Sequence, residues 1–153
     1  MNEANQKKAL SYAMQLCSRT EYCKLDIVQK IKRYDLTEAE QQSVINKLES
    51  EGFINESRYI RSFVHDKQQF SGWGKQKIRY TLQHKALSEI IIDEALNNVD
   101  EEAYLDQLKK LLLQKKKQIK YGSDFEMNAK LFRYALSRGF ESELIWKVIN
   151  QTV

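Results

Sequence analysis

The sequence predicts an all-α chain, and three observations support this. It contains no proline, and its five glycines stand at the borders of apolar stretches, where helices begin and end. Within these stretches apolar residues recur every three or four positions, as Ala9, Ala13, Leu16 and Cys17 do, which is the period of an amphipathic helix. The helical pattern also repeats along the chain. We therefore predict three tandem three-helix units, each similar to a helix-turn-helix, that form an elongated, curved array.

Turn and capping residues set the predicted helix boundaries. Thr37 and Glu40 match a capping box, which opens a helix over residues 38–50. Gly52 can adopt the left-handed conformation that ends this helix, and Asn55 caps the next one. The nine predicted helices span residues 5–18, 24–33, 38–50, 56–69, 75–84, 88–98, 102–121, 125–137 and 141–151.

The second and third units match each other at a constant offset of 53 residues. The first unit matches less closely, with Ile27, Ile31 and Leu36 at the positions of Ile78, Leu82 and Leu87. The predicted units are residues 1–52, 53–99 and 100–153. Because about 50 residues bury too little surface for a stable core, neighbouring units should pack together. The matched pairs are Ile78 with Leu131, Leu82 with Ala135, Ala86 with Gly139, Leu87 with Phe140, Ile91 with Leu144, Ala95 with Val148, and Leu96 with Ile149.

Composition predicts a cytoplasmic protein. The chain is 30% charged, and no apolar run approaches the roughly 18 residues that span a bilayer. Its polar start, MNEANQKK, does not have the pattern of a signal peptide. Cys17 and Cys23 are spaced neither as a zinc ligand pair nor as a CxxC redox site, so we expect two free thiols in a reducing compartment.

Charge is arranged in blocks. Seven basic residues stand between positions 58 and 85 against one acid, Asp66; seven acids without a base occupy 88–108, and six lysines without an acid occupy 109–120. These blocks are either solvated helix faces or recognition surfaces. Lys75, Lys77 and Arg79 lie at a helix start, where positive charge opposes the helix dipole, and this favours an external anionic partner. Trp73 either stacks on a base or inserts into a groove of a protein partner, or it covers the core between helices.

The middle third of the chain resembles the RecX family. The segment KLESEGFINESRYIRSFVHDK, followed by SGWGKQKIRYTLQHKAL, is similar to the family signature. In the third unit, Arg138, Gly139 and Phe140 carry the resemblance; in the first, Ala9, Leu16, Arg19, Ile27 and Ile31 do. Cys23, Asp26, Asn55 and Ala86 replace the serine, glutamate, aspartate and glycine that are usual in the family. The signature positions are Leu48, Gly52, Phe53, Ile54, Arg58, Tyr59, Gly72, Gly74, Ile78, Leu82, Lys85 and Leu87.

The resemblance implies a small cytoplasmic protein that lies in the groove of the RecA–DNA filament. Such a protein limits filament extension and suppresses ATP hydrolysis, strand exchange and LexA cleavage. It would be a monomer that contacts RecA and single- or double-stranded DNA, directly or through the filament, without a cofactor, metal or membrane. The expected contact residues are Arg58, Arg61, Trp73, Lys75, Lys77, Arg79, Lys85, Lys115, Lys116 and Lys117.

The sequence also allows two other functional classes. An independent DNA-binding protein is the main alternative, since helix-turn-helix units with basic helices also suit DNA. An enzyme has little support. His65 and Asp66 are neighbours on a predicted helix and should not face one another, and we expect His84 at the surface or an interface. The segment Gly72-Trp73-Gly74 is too short for a phosphate loop, and the sequence has no GxxxxGK[ST] motif.

Overall fold

The computed structural model describes residues 2–120 and 122–152, and these residues form nine α-helices, one 3-10 helix and no strand. The predicted all-α class is therefore confirmed. No described helix is both long and apolar enough to cross a membrane. The helices are α1 (Asn2–Arg19), α2 (Lys24–Lys30), α3 (Glu38–Ser50), α4 (Glu56–Gln69), α5 (Lys75–Gln83), α6 (Glu89–Asn97), α7 (Glu101–Gln118), α8 (Asp124–Ser137) and α9 (Ser142–Thr152).

Three predicted boundaries were wrong by more than one residue. α1 begins at Asn2 instead of residue 5, and Glu3 in its first turn favours this extension because it complements the helix dipole. The helix predicted over 24–33 ends at Lys30 and is followed by the 3-10 helix Lys32–Tyr34. The helix predicted over 102–121 ends at Gln118, where the backbone becomes extended; residue 121 lies outside the described residues.

The chain divides into two compact units. The first contains the chain through Ser62 together with Lys85–Leu87, and the second contains Phe63–His84 and the chain from Ser88 onward. In the first unit, α1, α2 and α3 enclose an apolar core. In the second, α7, α8 and α9 pack together, and α7 supplies Leu108 and Leu112 to the core. Cys17 and Cys23 are free thiols, as predicted, and burial raises the pKa of both.

A left-handed residue recurs at the same position of the helical repeat. Asp35, Ala86 and Gly139 have φ values of 53°, 57° and 96°. Each lies directly before an apolar residue of the matched set, namely Leu36, Leu87 or Phe140. The register inferred from sequence therefore aligns the backbone conformation as well as the apolar residues, which confirms the helical repeat.

Replacement of Ala86 with glycine should stabilise the protein. A left-handed conformation costs a non-glycine residue about 1–2 kcal/mol, and glycine removes this cost. The greater freedom of glycine in the unfolded chain opposes this stabilisation by about 0.4–1 kcal/mol. We expect the free energy of unfolding to rise by about 0.5 kcal/mol, measured by urea denaturation followed by circular dichroism. Ala103→Gly, at an exposed position of α7, should instead lower it by about 0.5–1 kcal/mol. Equal losses in both variants would contradict this account.

Candidate interaction surface

The start of α5 is held by the turn between α8 and α9. The first backbone N–H groups of a helix have no partner within the helix. Here the N–H of Gly74 donates to the carbonyl of Arg138 at 2.8 Å, and the N–H of Gln76 donates to the carbonyl of Gly139 at 2.9 Å. These bonds fix the Gly-Trp-Gly segment and the first turn of α5 within the second unit.

Tyr104 supplies a third anchor. Its hydroxyl accepts a hydrogen bond of 2.9 Å from the N–H of Lys75 and donates one to the carboxylate of Glu141. The side chain is fully buried, and its ring lies 5.1 Å from that of Phe140 between centroids. Burial raises the pKa of Tyr104, and the hydrogen bond to Glu141 raises it further. The hydroxyl therefore stays protonated and can both accept and donate.

The two chain segments meet at glycines because neither position has room for a side chain. A Cβ atom on Gly74 would overlap the backbone of Gly139, and a Cβ atom on Gly139 would overlap Lys77. This close approach gives a physical reason for the second glycine, Gly74, of Gly72-Trp73-Gly74. It also fixes the backbone of Lys77.

Two lysines contact the ring of Trp73. The Nζ atoms of Lys67 and Lys77 lie 4.7 and 4.4 Å from the centroid of its ring, within cation–π range. The ring of Phe63 contacts Trp73 edge-on at 6.3 Å between centroids. We call Phe63, Lys67, Trp73 and Lys77 the Trp73 cluster. Sequence analysis missed Lys67 as a site residue, because positions 67, 73 and 77 span a helix end, a turn and a helix start, and no single period connects them.

The other two basic residues of α5 are paired with acids. The Nζ of Lys75 lies 2.8 Å from a carboxylate oxygen of Glu101, and its side chain is only 17% exposed. Arg79 forms an ion pair with Asp93. Both acids belong to the block at residues 88–108. The positive and negative blocks thus partly neutralise each other within the second unit.

In the first unit, Arg58 and Arg61 make local contacts. Arg58 donates to the carboxylate of Glu21 at 2.6 Å and to the carbonyl of Gly52 at 2.9 Å, so it satisfies a carbonyl just beyond the end of α3. Arg61 is exposed and donates to the hydroxyl of Ser57, one turn earlier in α4.

Lys85 belongs to a partly buried polar network in the first unit. The carboxylate of Asp26 accepts from the Lys85 ammonium at 2.7 Å and from the backbone N–H of Cys23 at 3.2 Å. Burial opposes the charge of Asp26, but these bonds outweigh burial and hold the pKa of Asp26 below its usual value. Burial, reinforced by the nearby Asp26, raises the pKa of Tyr59 to about 12.

The network predicts a pH dependence of stability. A carboxyl group whose pKa is lower in the folded than in the unfolded protein stabilises the fold above its unfolded pKa, which is about 3.9 for aspartate. This contribution is lost as pH falls below that value and through the pKa of the folded state. We therefore expect the wild type to have a higher free energy of unfolding than Asp26→Asn. This difference should be largest near neutral pH and should shrink below about pH 4. Urea unfolding across this range measures it.

Asp106→Asn controls for the general effect of removing one negative charge. Asp106 is exposed on α7 and forms no ion pair with any described residue. If the Asp26→Asn difference were the same at pH 7 and pH 3, the stabilising role of the Asp26–Lys85 pair would be disproved.

Three of the lysines of α7 lie in its last turn, where positive charge complements the helix dipole: Lys115, Lys116 and Lys117. The Nζ of Lys115 lies 4.5 Å from the ring centroid of Tyr134 on α8. Lys116 is half-buried and Lys117 is exposed. These contacts favour a local stabilising role for Lys115, while Lys117 remains available at the surface.

The histidines do not form a recognisable catalytic site. Against expectation, His65 and Asp66 do approach each other, with 3.4 Å between Nδ1 and Oδ1, but both side chains are largely exposed. The ring of His84 is exposed and packs on that of Tyr80 at 4.2 Å between centroids. Across the part of the chain that the structure describes, no cluster of histidine, cysteine or acidic side chains could hold a metal ion.

Comparison with known proteins places the chain among RecX sequences. The family model for the second three-helix domain of RecX matches residues 55–96, and the model for the third three-helix domain matches residues 101–149. Regulatory protein RecX of Chlorobium phaeobacteroides is 31% identical, over 99% of this chain and 97% of that protein. Regulatory protein RecX of Clostridium beijerinckii is 30% identical, over 92% of this chain and 66% of that protein.

Solved structures agree. A crystal structure of regulatory protein RecX superposes with a TM-score of 0.86 at 25% identity, covering 96% of this chain and 74% of that one. RecX from Lactobacillus salivarius superposes with a TM-score of 0.83 at 21% identity and 97% coverage of both chains, which shows a shared fold.

Proposed function

The chain belongs to the RecX family, and from this premise we propose that it regulates RecA by binding in the groove of the RecA–DNA filament. In this proposal the bound protein limits filament extension and lowers ATP hydrolysis, strand exchange and LexA cleavage. It acts as a cytoplasmic monomer that contacts RecA protomers or the DNA held by them, and it catalyses no reaction of its own.

The Trp73 cluster is the observation that carries the proposal. Neither Lys67 nor Lys77 forms an ion pair within residues 2–120 and 122–152, unlike Lys75 and Arg79. Both ammonium groups are held against one ring, and the segment that carries Trp73 is anchored to Arg138. A cationic surface held in this way loses little conformational freedom when an anionic partner binds, which favours recognition.

The wider contact set keeps the residues expected from sequence, with different roles inferred for them. We propose that Trp73, Lys77, Arg61 and Lys117 touch the partner directly. The remaining members make intramolecular contacts, and in this proposal each contributes to the positive potential of its own unit. They are Arg58, Lys75, Arg79, Lys85, Lys115 and Lys116.

Charge reversal of the cluster tests the proposal. Unmodified protein should lower the RecA ATPase rate on single-stranded DNA. Lys67→Glu with Lys77→Glu should raise the concentration needed for half-inhibition by about tenfold or more, because like charges across an interface repel. This double variant avoids Lys75 and Arg79, whose reversal would also break ion pairs that support the fold.

The matched control reverses Arg133 and Lys147, which are exposed basic residues of the same unit. Arg133→Glu with Lys147→Glu makes the same change in net charge and should keep inhibition within about twofold of the unmodified protein, since charges outside the contact surface are largely screened by salt. If both double variants lost equal potency, the Trp73 cluster would not be the contact surface.

An independent DNA-binding function is the second candidate, because the Trp73 cluster combines an aromatic ring with cations as single-strand binding sites do. Salt titration separates the two candidates. Six phosphate contacts to single-stranded DNA predict a log–log salt slope of about −4. A slope near −1 on free DNA, with tighter and less salt-sensitive binding to RecA filaments, supports the regulator, and the opposite pattern supports the DNA-binding protein.

A further inference from the structure

A second group of aromatic and basic residues lies in the first unit, outside the contact set described above. Tyr12 comes from α1, whereas Arg33 and Tyr34 come from the 3-10 helix. The two rings are tilted by 49° with centroids 6.0 Å apart. The Cζ atom of Arg33 lies 4.2 Å from the centroid of Tyr12 and 5.0 Å from that of Tyr34. The two tyrosines thus hold the guanidinium.

Most donors of Arg33 remain available. A guanidinium has five N–H donors, and among the described residues Arg33 uses one side-chain nitrogen, Nη2, which donates to the Tyr34 hydroxyl at 2.9 Å. The side chain is exposed, so its other donors face water. Because the contact with two rings restricts its rotamers, this planar cation is already ordered before any ligand binds.

The surroundings of the guanidinium favour an anionic ligand. It lies at an open depression of about 340 Å³ whose lining contains two cations and no acidic side chain. Lys30 and Lys32, which neighbour Arg33 in the sequence, are also exposed. The residues that line the depression are Lys8, Ser11, Tyr12, Gln15, Arg33 and Tyr34.

We propose that this depression, the Tyr12–Arg33–Tyr34 site, binds single-stranded nucleic acid. A base stacks on the outer face of the guanidinium, and an adjacent phosphate accepts hydrogen bonds from Arg33 and from the ammonium of Lys8. Guanidinium planes serve as stacking surfaces for unpaired bases, and they bind phosphate through paired donors. Tyr12 and Tyr34 are positioning residues, because they hold the guanidinium in place.

Nucleic acid suits the site better than an acidic protein segment. Carboxylates would satisfy the charge of Arg33 and Lys8, but they would leave the exposed face of the guanidinium without a stacking partner. A nucleotide offers both a planar base and a phosphate, and its base could also accept hydrogen bonds from Ser11 and Gln15. The site requires no RecA, so this proposal goes beyond the regulation proposed above and can fail independently of it.

The test measures binding of a fluorescein-labelled oligothymidylate to the full-length chain by fluorescence anisotropy, without RecA. Arg33→Ala should weaken binding about tenfold and reduce the magnitude of the salt slope by about 0.7, the value for one phosphate contact on a single strand. Arg33→Lys should keep the slope but weaken binding about threefold, because an ammonium retains the charge without the stacking plane. Arg19→Ala, which removes an exposed arginine of the same unit, should stay within about twofold.

Ser11→Glu provides a variant that leaves the stacked residues intact. Ser11 is exposed on α1 and lines the depression, and glutamate is a good helix former. The new carboxylate should repel phosphate and weaken binding at least fivefold, without a change in the unfolding temperature. Equal affinities for Arg33→Ala and Arg19→Ala would overturn the proposal. So would unchanged binding by Ser11→Glu, or displacement of the oligonucleotide by polyglutamate at equal charge concentration.

Discussion

Replacement of Gly139 with alanine is expected to lower the free energy of unfolding by about 2–5 kcal/mol, the largest loss that we predict for a single methyl group in this protein. Two costs add. The left-handed backbone at φ 96° costs alanine about 1–2 kcal/mol. The new Cβ would also overlap Lys77, and relief of such overpacking costs about 1–3 kcal/mol.

Two other glycines separate these costs. Gly52 has a φ of 80° but nothing within 4 Å of an added Cβ, so Gly52→Ala should cost only the backbone strain, about 1–2 kcal/mol. Gly74 has an ordinary φ of −77° but lies against the backbone of Gly139, so Gly74→Ala should cost only the overlap, about 1–3 kcal/mol. Urea denaturation of all three variants measures these values. If Gly139→Ala were no worse than Gly52→Ala, the close contact would be disproved.

Removal of the Tyr104 hydroxyl is expected to cost about 2–3 kcal/mol. In Tyr104→Phe the ring still fills the core, but the backbone N–H of Lys75 loses its acceptor and the carboxylate of Glu141 loses its donor. A buried polar group without a partner costs about 1–3 kcal/mol. Chemical denaturation should show the lower stability, and amide hydrogen exchange should become faster at Lys75 because its N–H is no longer hydrogen-bonded.

Tyr80→Phe is the matched control for Tyr104→Phe. Tyr80 is 63% exposed, so loss of its hydroxyl should change stability by no more than about 0.5 kcal/mol. Faster exchange at Lys75 without a change in the RecA assay would separate the anchoring of α5 from the function of the Trp73 cluster. An unchanged exchange rate would show that water or another group replaces the hydroxyl.

The helices could be predicted from sequence because their signals are local. Glycines, the capping box at Thr37 and the apolar spacing locate most boundaries to within one residue. Three boundaries are exceptions, and at α2 the reason is a change of helix type, because α2 ends at Lys30 and the 3-10 helix Lys32–Tyr34 continues the predicted segment. The limits of the three predicted units, and the expected contact residues, stay predictions.

The geometry of the candidate site could be predicted only in part. Lys75, Lys77 and Arg79 stand out by charge, but the ion pairs of Lys75 and Arg79 depend on acids that two other helices, α7 and α6, supply. Tyr104 lies on an apolar stripe of α7, and nothing in its sequence neighbourhood indicates that its hydroxyl anchors another helix. Contacts between residues far apart in the sequence, such as these, leave no periodic signal.

The anchoring of the Trp73 segment also bears on the order in which the chain acquires its structure. The side chain of Arg138 donates to the carbonyl of Ser71, 67 residues earlier in the sequence. Contacts of such long sequence separation form late, because closing the intervening loop costs entropy before any contact offsets it. During synthesis the ribosome must therefore release Arg138, just after α8, before Trp73 can take its final place, so a nascent chain that has emerged only through α7 has no finished Trp73 cluster.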